Sequence, residues 1–109
     1  NALPIEALQE ALAGLVSDQD WRVRAHAVVA AGWSPLNKDL TVAAAACVRD
    51  KQSVVKVLAV RLFAEQHGAK FREVLEQLRR SDPSPFVRMM AASYLPATVQ
   101  AQAGASAEP

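Results

Sequence analysis

A 32-residue repeat constrains the fold of this chain more than any other feature of its sequence. Three segments align without a gap, and each runs from an aspartate through a valine and a basic residue to an alanine. The recurring positions are Asp18, Asp50 and Asp82; Val23, Val55 and Val87; Arg24, Lys56 and Arg88; and Ala27, Ala59 and Ala91. Four columns at one fixed period indicate an array of stacked structural repeats.

Each repeat is predicted to be a pair of α-helices, with the aspartate in the turn between them. Val23, Ala27 and Ala31 have the i, i+4, i+8 spacing of one helix face, and the same spacing recurs in the other repeats. Asp20 is a plausible N-cap, and Ser84 followed by a proline is a typical helix start. The second helices are therefore predicted at about 21–32, 53–67 and 85–95.

The first helix of each pair is predicted from a further set of apolar stripes. Asn37 is expected to cap the second of these helices, and Gly68 is expected to end the helix before the third. The stripes are Leu8, Ala11, Leu12 and Leu15; Leu40, Ala43, Ala44 and Cys47; and Phe71, Val74, Leu75 and Leu78. The pattern predicts an all-α chain of about six helices, in units of about 4–33, 37–67 and 69–96.

The composition suits closely packed helices in one domain. Alanine accounts for 22 of the 109 residues, and it has the best intrinsic helix propensity. We expect the repeat domain to span residues 1–97 and the Ala-, Gln- and Ser-rich segment 98–109 to be disordered. No apolar run reaches the roughly 18 residues of a membrane span. The chain begins with Asn1 and shows no signal segment, which favours a processed chain or an excised fragment with a cytoplasmic location.

The turn aspartate and the valine-basic step resemble the HEAT-repeat family, in particular its short bacterial, phycobilisome-lyase-like form. The resemblance is carried by Asp18…Val23-Arg24…Ala27 and its two equivalents, and it covers about residues 4–96. It implies a right-handed superhelix of three helix pairs, an armadillo-type α-solenoid whose second helices line a concave surface. Lys56 departs from the arginine usual in the family, and lysine cannot make a bidentate fork.

The repeated aspartates and basic residues have two interpretations. In the first, the residues form a structural ladder. Each basic residue bonds a turn aspartate or a helix end in its own or a neighbouring repeat. The basic residues are Arg24, Lys56 and Arg88, and the turn aspartates are Asp18, Asp50 and Asp82. The alternative is a ladder that binds anions or nucleic acid. The HEAT resemblance favours the structural interpretation.

Residues with catalytic or metal-binding chemistry are sparse. His26 and His67 lie on different predicted helices, and a zinc site would need three or four ligands at recognisable spacing. Cys47 is the single cysteine, so it cannot form an internal disulfide, and its place in an apolar stripe predicts a small core residue. The sequence also lacks a glycine-rich phosphate loop. We therefore predict no metal, no cofactor and no enzymatic activity.

The positions of the second helices that face away from the predicted core hold mostly apolar, aromatic and arginine residues. Such residues are enriched at protein interfaces. We therefore expect a non-catalytic scaffold that binds a protein or peptide, anchored by Trp33 and Phe86 and oriented by Arg22 and Arg61. The expected surface comprises Arg22, His26, Trp33, Val54, Leu58, Arg61, Phe86 and Met90. A competing interpretation buries Leu58, Phe86 and Met90 through tighter curvature or the C-terminal segment.

Two other functions remain open at this point. One is nucleic-acid binding by a basic stripe, although glutamates are interleaved with the arginines and the net charge is only +1. The other is a chaperone-like accessory subunit of a protein-modifying lyase, which the family resemblance alone suggests. We expect a monomer or part of a longer repeat array, and no membrane partner.

Overall fold

Helices form all the regular secondary structure of residues 4–96, the part of the chain that the computed structural model describes. They are α1 (Ile5–Leu15), α2 (Trp21–Ala31), α3 (Lys38–Ala45), α4 (Ser53–Ser81) and α5 (Pro85–Ser93), and a 3-10 helix, Ala46–Arg49, follows α3 directly. The predicted all-α class is confirmed. The end of the domain at residue 97 and the disorder predicted for 98–109 lie outside the described residues.

Three predicted helix starts are confirmed by their caps. The Asp20 side chain accepts a hydrogen bond from the backbone N–H of Arg22, and the Asn37 side chain accepts one from the N–H of Leu40. The Ser84 hydroxyl accepts from the N–H of Val87, and α5 begins with a proline at its first position. Each cap satisfies a backbone donor that the first helical turn leaves without an intrahelical acceptor.

The helix end expected at Gly68 is a kink rather than a turn. His67 leaves the helical region, with φ −135° and ψ 35°, but α4 resumes directly and continues to Ser81. The two helical stretches of α4 on either side of this kink correspond to the separate helices predicted before and after Gly68, but no loop divides them. The break falls at His67, and Gly68 does not adopt the positive φ of a glycine helix terminator.

Two compact units divide the described chain, and the boundary falls within α4. The first unit ends at Leu62, and in it α1 packs against both α2 and α3. Its most deeply buried large side chains include Val28 and Leu40. The second unit begins at Phe63, whose ring stacks on the ring of Phe71 with the centroids 5.5 Å apart. None of the helices that the structure describes is both long and apolar enough to cross a membrane.

The apolar columns of the repeat lie in the core. The side chains of Val55 and Val87 are fully buried, as are the repeat alanines Ala59 and Ala91. Ala27 is 4% exposed and Val23 is half-buried. The stripes predicted for the second helices are thus confirmed, including Leu95 in the third repeat, which is 4% exposed.

The stripe predicted for α1 is largely wrong. Leu12 is buried, but Leu8 is 40% exposed and Leu15 is 43% exposed. The buried side of α1 instead carries Gln9 and Leu12, followed by Val16 at the C-cap. A helix packed against neighbours on one side buries only the residues that face them, so part of a wide apolar stripe stays in contact with solvent.

Candidate functional site

The three repeat aspartates close the same local turn. Oδ1 of Asp18 accepts a hydrogen bond from the backbone N–H of Asp20 at 2.8 Å. Oδ1 of Asp50 and Oδ1 of Asp82 accept in the same way from the N–H two residues ahead, each at 2.9 Å. These are Asx turns, in which a side-chain oxygen replaces a backbone acceptor at the entry to a helix.

Two of the basic residues hold the turn of their own repeat. Nη1 of Arg24 donates to the backbone oxygens of Asp18 and Gln19 at 2.8 and 3.0 Å. Nη1 of Arg88 donates to the backbone oxygens of Asp82 and Pro83 at 2.7 and 3.3 Å. The first and third repeats therefore build the same aspartate-arginine turn from the same atoms.

Arg24 also reaches the aspartate of the next repeat. Its Nε and Nη2 donate to Oδ2 and Oδ1 of Asp50 at 2.7 and 2.9 Å, a bidentate pair between residues 26 positions apart. The two side chains are 17% and 8% exposed. This is the contact that the structural interpretation of the ladder requires, and it occupies the guanidinium that an anion would otherwise bind.

The pair shifts the ionisation of both groups. Burial alone raises the pKa of Asp50, but hydrogen bonds from Arg24 and from the Gln52 N–H outweigh burial, and the net pKa lies below 3.8. The charge of Lys56 adds to the lowering. The hydrogen bond to Asp50 raises the pKa of Arg24 in turn. Both groups are therefore charged at neutral pH, and the ion pair is formed in full.

The first unit holds six of the eight residues predicted for a binding surface. Trp33 is 88% exposed and Val54 is 51% exposed. His26 and Arg61 are also exposed, whereas Leu58 is half-buried. Along α2, His26 and Val29 face solvent while Ala25 and Val28 are buried, so the outward side of this helix is as the periodicity predicted.

Trp33 does not lie on the helix face assumed for it. Helix α2 ends at Ala31, and Trp33 follows in the turn, where its N–H donates to the backbone oxygen of Ala30 at 3.0 Å. The N–H of Gly32 similarly donates to the oxygen of Val29 at 3.1 Å. The indole is therefore carried by a hydrogen-bonded turn beyond the end of α2.

Arg22 is already paired within its own turn. Its Nε and Nη2 donate to Oδ1 and Oδ2 of Asp20, both at 3.2 Å, while the arginine side chain remains 71% exposed. The hydrogen bond to Arg22 lowers the pKa of Asp20. A ligand carboxylate would have to compete with Asp20 for this fork, which weakens the orienting role predicted for Arg22.

The remaining two surface residues, Phe86 and Met90, belong to the second unit. Phe86 is 56% exposed, and Met90 is half-buried. Between them in the chain, Met89 is 64% exposed, and sequence reasoning did not select it. Of the three residues that the competing interpretation would bury, Phe86 is exposed and Leu58 and Met90 are half-buried, while the C-terminal segment that it invokes lies outside the described residues.

Cys47 and the histidines are placed as isolated groups. Cys47 is 3% exposed, as predicted for a core residue, and its Sγ donates to the backbone oxygen of Val16 at 3.3 Å. Burial raises the pKa of this thiol. The ring of His67 lies at the kink of α4, 6.0 Å from the ring of Phe63. Within residues 4–96, no three His, Cys, Asp or Glu side chains are grouped so as to hold a metal ion.

Gln9 is a structural residue that sequence reasoning missed. Its Nε2 donates to the backbone oxygen of Pro35 at 2.7 Å, and its Oε1 accepts from Nδ2 of Asn37 at 3.2 Å. It thereby ties α1 to the loop between α2 and α3. The available signal was its spacing, since Gln9, Leu12 and Val16 follow i, i+3, i+7 on one helix face.

Comparisons of this chain with protein-family models, with curated proteins and with solved structures gave no match. Its function is therefore argued from the exposed side chains and from the partners of the charged ones.

Proposed function

We propose that this chain is a non-catalytic protein-binding module, built as a HEAT-like right-handed superhelix of three helix pairs. Its ligand would be a peptide segment with apolar side chains. The observation that carries the proposal is the 88% exposure of Trp33. Tryptophan is the residue type most often found to dominate the binding energy of protein interfaces.

The repeat geometry supports the HEAT-like architecture. The sequence period of 32 residues is matched by the same Asx turn in all three repeats. The arginine of the first repeat then bonds the aspartate of the second. A contact from the repeated arginine position of one repeat to the repeated aspartate position of the next is what a stacked array of helix pairs requires.

Other exposed apolar side chains of the first unit support an apolar peptide as the ligand. Val29, four residues earlier, is 46% exposed, and Val54 at the start of α4 is 51% exposed. All three side chains belong to the first unit. An aromatic anchor held by backbone hydrogen bonds loses little conformational entropy on binding, which favours insertion into a partner.

The partners of the arginines support protein over nucleic acid. Arg22 and Arg24 hold carboxylates of Asp20 and Asp50, and Arg79 donates to Glu76 at 3.2 Å. A phosphate would have to displace these carboxylates before the charge became available, whereas nucleic-acid affinity depends on the number of phosphates neutralised. The basic-stripe alternative therefore has less support.

The test is a selection from a random peptide library that lacks tryptophan, followed by fluorescence titration. In the Trp21→Phe variant, Trp33 is the remaining tryptophan and reports its own surroundings. We expect selected peptides to shift its emission to the blue as the indole leaves water. We expect Trp33→Ala to lose at least about tenfold in affinity, as a central interface anchor does.

Val42→Ala is the matched control, because Val42 is 66% exposed on α3, a first helix of its pair. It is expected to bind the peptides as the unmodified chain does. Peptides that bind Trp33→Ala equally well would contradict the proposed anchor. A labelled oligonucleotide that binds with a steep salt dependence, while no peptide is enriched, would favour the nucleic-acid function instead.

A further inference from the structure

Arg88 repeats the turn of Arg24 but not its second contact. Both arginines use Nη1 to bond the backbone of their own aspartate turn. The Nε and Nη2 edge of Arg24 is filled by the carboxylate of Asp50. In the residues that the structure describes, the hydrogen bonds of Arg88 come from Nη1 alone. The third repeat thus has the arginine of the Arg24–Asp50 type of contact, but within the described residues it has no carboxylate on the Nε and Nη2 edge of that arginine.

The apolar residues beside Arg88 show the same difference. Next to Arg24, Ala25 is 8% exposed and Val28 is 1% exposed. Their equivalents 32 positions later in α4, Val57 and Val60, are half-buried and fully buried. In the third repeat, Met89 is 64% exposed and Ala92 is half-buried. The face around Arg88 is therefore open where the same face of the first repeat is covered.

The first repeat holds a carboxylate, that of Asp18, which could pair with an arginine such as Arg88. Asp18 forms the same Asx turn as Asp50, but its carboxylate makes no salt bridge within residues 4–96. Its charge acts on Arg24 of its own repeat, whose pKa is raised mainly by Asp50 and further by Asp18. Asp18 therefore lacks the bidentate arginine that Asp50 has.

The first repeat, which carries the Asp18 carboxylate, also has exposed leucines. Leu8 and Leu15 of α1 are 40% and 43% exposed, whereas their equivalents in the second repeat, Leu40 and Cys47, are 0% and 3% exposed. The first repeat thus leaves open the helix positions that are covered in the second. One chain therefore carries both an acidic half, made of Asp18, Leu8 and Leu15, and a basic half, made of Arg88 and Met89.

We propose that copies of this chain associate head to tail, with the Arg88 guanidinium of one copy bonding the Asp18 carboxylate of the next. Nε and Nη2 of Arg88 donate to the two carboxylate oxygens, as Nε and Nη2 of Arg24 do to Asp50. Met89 of the first copy and Leu8 and Leu15 of the second are covered in the same interface. The contact is heterologous, so each copy keeps one free half for a further copy.

A second copy fits the basic half because it carries a suitable carboxylate, that of Asp18. The ligand of the Arg88 fork is a carboxylate held in an Asx turn, which is how Asp18 is held. The charges are opposite, and the first and third repeats each carry exposed apolar side chains. The interface uses side chains other than Trp33, so it is independent of the proposed peptide site.

Sedimentation velocity over a concentration series tests the proposal with two blocking variants. Met89→Glu places a charge on the basic half, and Leu8→Glu places one on the acidic half, and neither position is buried. We expect the unmodified chain to form species that grow with concentration and each variant alone to be monomeric. An equimolar mixture is expected to form a one-to-one dimer and nothing larger, because one intact half remains on each variant.

Asp18→Asn tests the ion pair without breaking the turn, since the amide Oδ1 still accepts from the Asp20 N–H. We expect association to weaken by about tenfold or more, the usual loss for a hydrogen bond to a charged group. Asp39→Asn is the matched control, because it removes the same charge from an exposed position on α3. It is expected to leave association unchanged.

Three results would overturn the proposal. The first is a monomer at every concentration up to millimolar. The second is assembly of the unmodified chain that the mixture of blocked variants cannot restore, which would indicate a symmetric interface. The third is assembly only after removal of residues 97–109, which would make the chain's own C-terminal segment the occupant. Circular dichroism of each variant verifies that a lost assembly is not a lost fold.

Discussion

Arg24 and Arg88 occupy equivalent positions, 32 residues apart, yet their surroundings differ. Each closes the turn of its own repeat through Nη1 at nearly the same distance, 2.8 Å in one and 2.7 Å in the other. Arg24 is then covered by the following turn and binds Asp50, whereas the residues beside Arg88 are open. The repeat motif therefore contains every residue of its own turn, but only one of the two residues that form the ion pair with the next repeat.

The same contrast holds between the first helices. Leu40 in α3 is fully buried, and Leu8, its equivalent in α1, is 40% exposed. The residue type and the repeat position are identical, so any difference in their contribution to stability comes from the neighbours. The following predictions compare covered positions with their open equivalents.

The largest effect is expected from the two leucines. Leu40→Ala should lower the free energy of unfolding by about 3 kcal/mol, because it removes buried apolar area and leaves a cavity. Leu8→Ala should cost about 1 kcal/mol or less, because a partly exposed side chain loses less transfer free energy and its site stays open to water. Urea unfolding of both variants measures the difference. Equal losses would contradict the view that the first repeat is open on this side.

The two arginines should differ next. Arg24→Gln removes a bidentate contact and leaves the Asp50 carboxylate, 8% exposed, without its arginine. We expect its melting temperature to fall by about 5 °C more than that of Arg88→Gln, which loses only the contacts to its own turn. Thermal unfolding followed by circular dichroism, at a concentration where the chain is monomeric, gives both values. A larger fall for Arg88→Gln would reverse the comparison.

The reactivity of a thiol can compare the covered position 47 with its open equivalent, position 15. Cys47 is 3% exposed, and burial raises the pKa of its thiol, so it should react slowly with a disulfide reagent. A cysteine at its open equivalent, made as Leu15→Cys in a Cys47→Ala background, should react at least about tenfold faster. The absorbance of the released thiolate follows both rates. Equal rates under native conditions would show that position 15 is as well covered as position 47.

The smallest effect is the pH dependence of the covered ion pair. Asp50→Asn keeps the Asx-turn acceptor and removes the charge that Arg24 binds. Because the pKa of Asp50 is lower in the folded chain than in the unfolded one, the pair contributes its full stability above about pH 4 and loses it as the pH falls through the folded-state value. The stability difference between Asp50→Asn and the unmodified chain should therefore be constant near neutral pH and shrink in acid.

Urea unfolding at a series of pH values measures this dependence, and Asp39→Asn serves as the control for an exposed aspartate on α3. The control should show a smaller difference at every pH. A difference for Asp50→Asn that grows in acid would mean that burial, and not Arg24, dominates the ionisation of Asp50.

Much of the fold followed from short-range patterns in the sequence. The caps at Asp20, Asn37 and Ser84 were predicted, and the helix end expected at Gly68 lies within a residue of the kink in α4. Their hydrogen bonds join residues that are at most three positions apart, so the chain carries both partners wherever it folds. The buried columns at Val55 and Val87 followed for the related reason that helical spacing places them on one face.

The candidate site was less predictable. Trp33 was correctly expected to be exposed, but its place beyond the end of α2 depends on where the last helical hydrogen bonds form. Arg22 was selected as an orienting group, although Asp20, two residues earlier, takes up its fork. Met89 is missing from the predicted surface, because the sequence reasoning selected Phe86 and Met90 as the outward-facing positions of α5.

Local information in the sequence thus accounts for the helices, their caps and the three Asx turns, because each depends on partners only a few residues away. Long-range packing accounts for the rest. The bond from Arg24 to Asp50 joins residues 26 positions apart, and the burial of Gln9 in place of Leu8 depends on where α2 and α3 lie against α1. A repeated motif cannot specify whether its outer face is covered, since that depends on which neighbour packs against it.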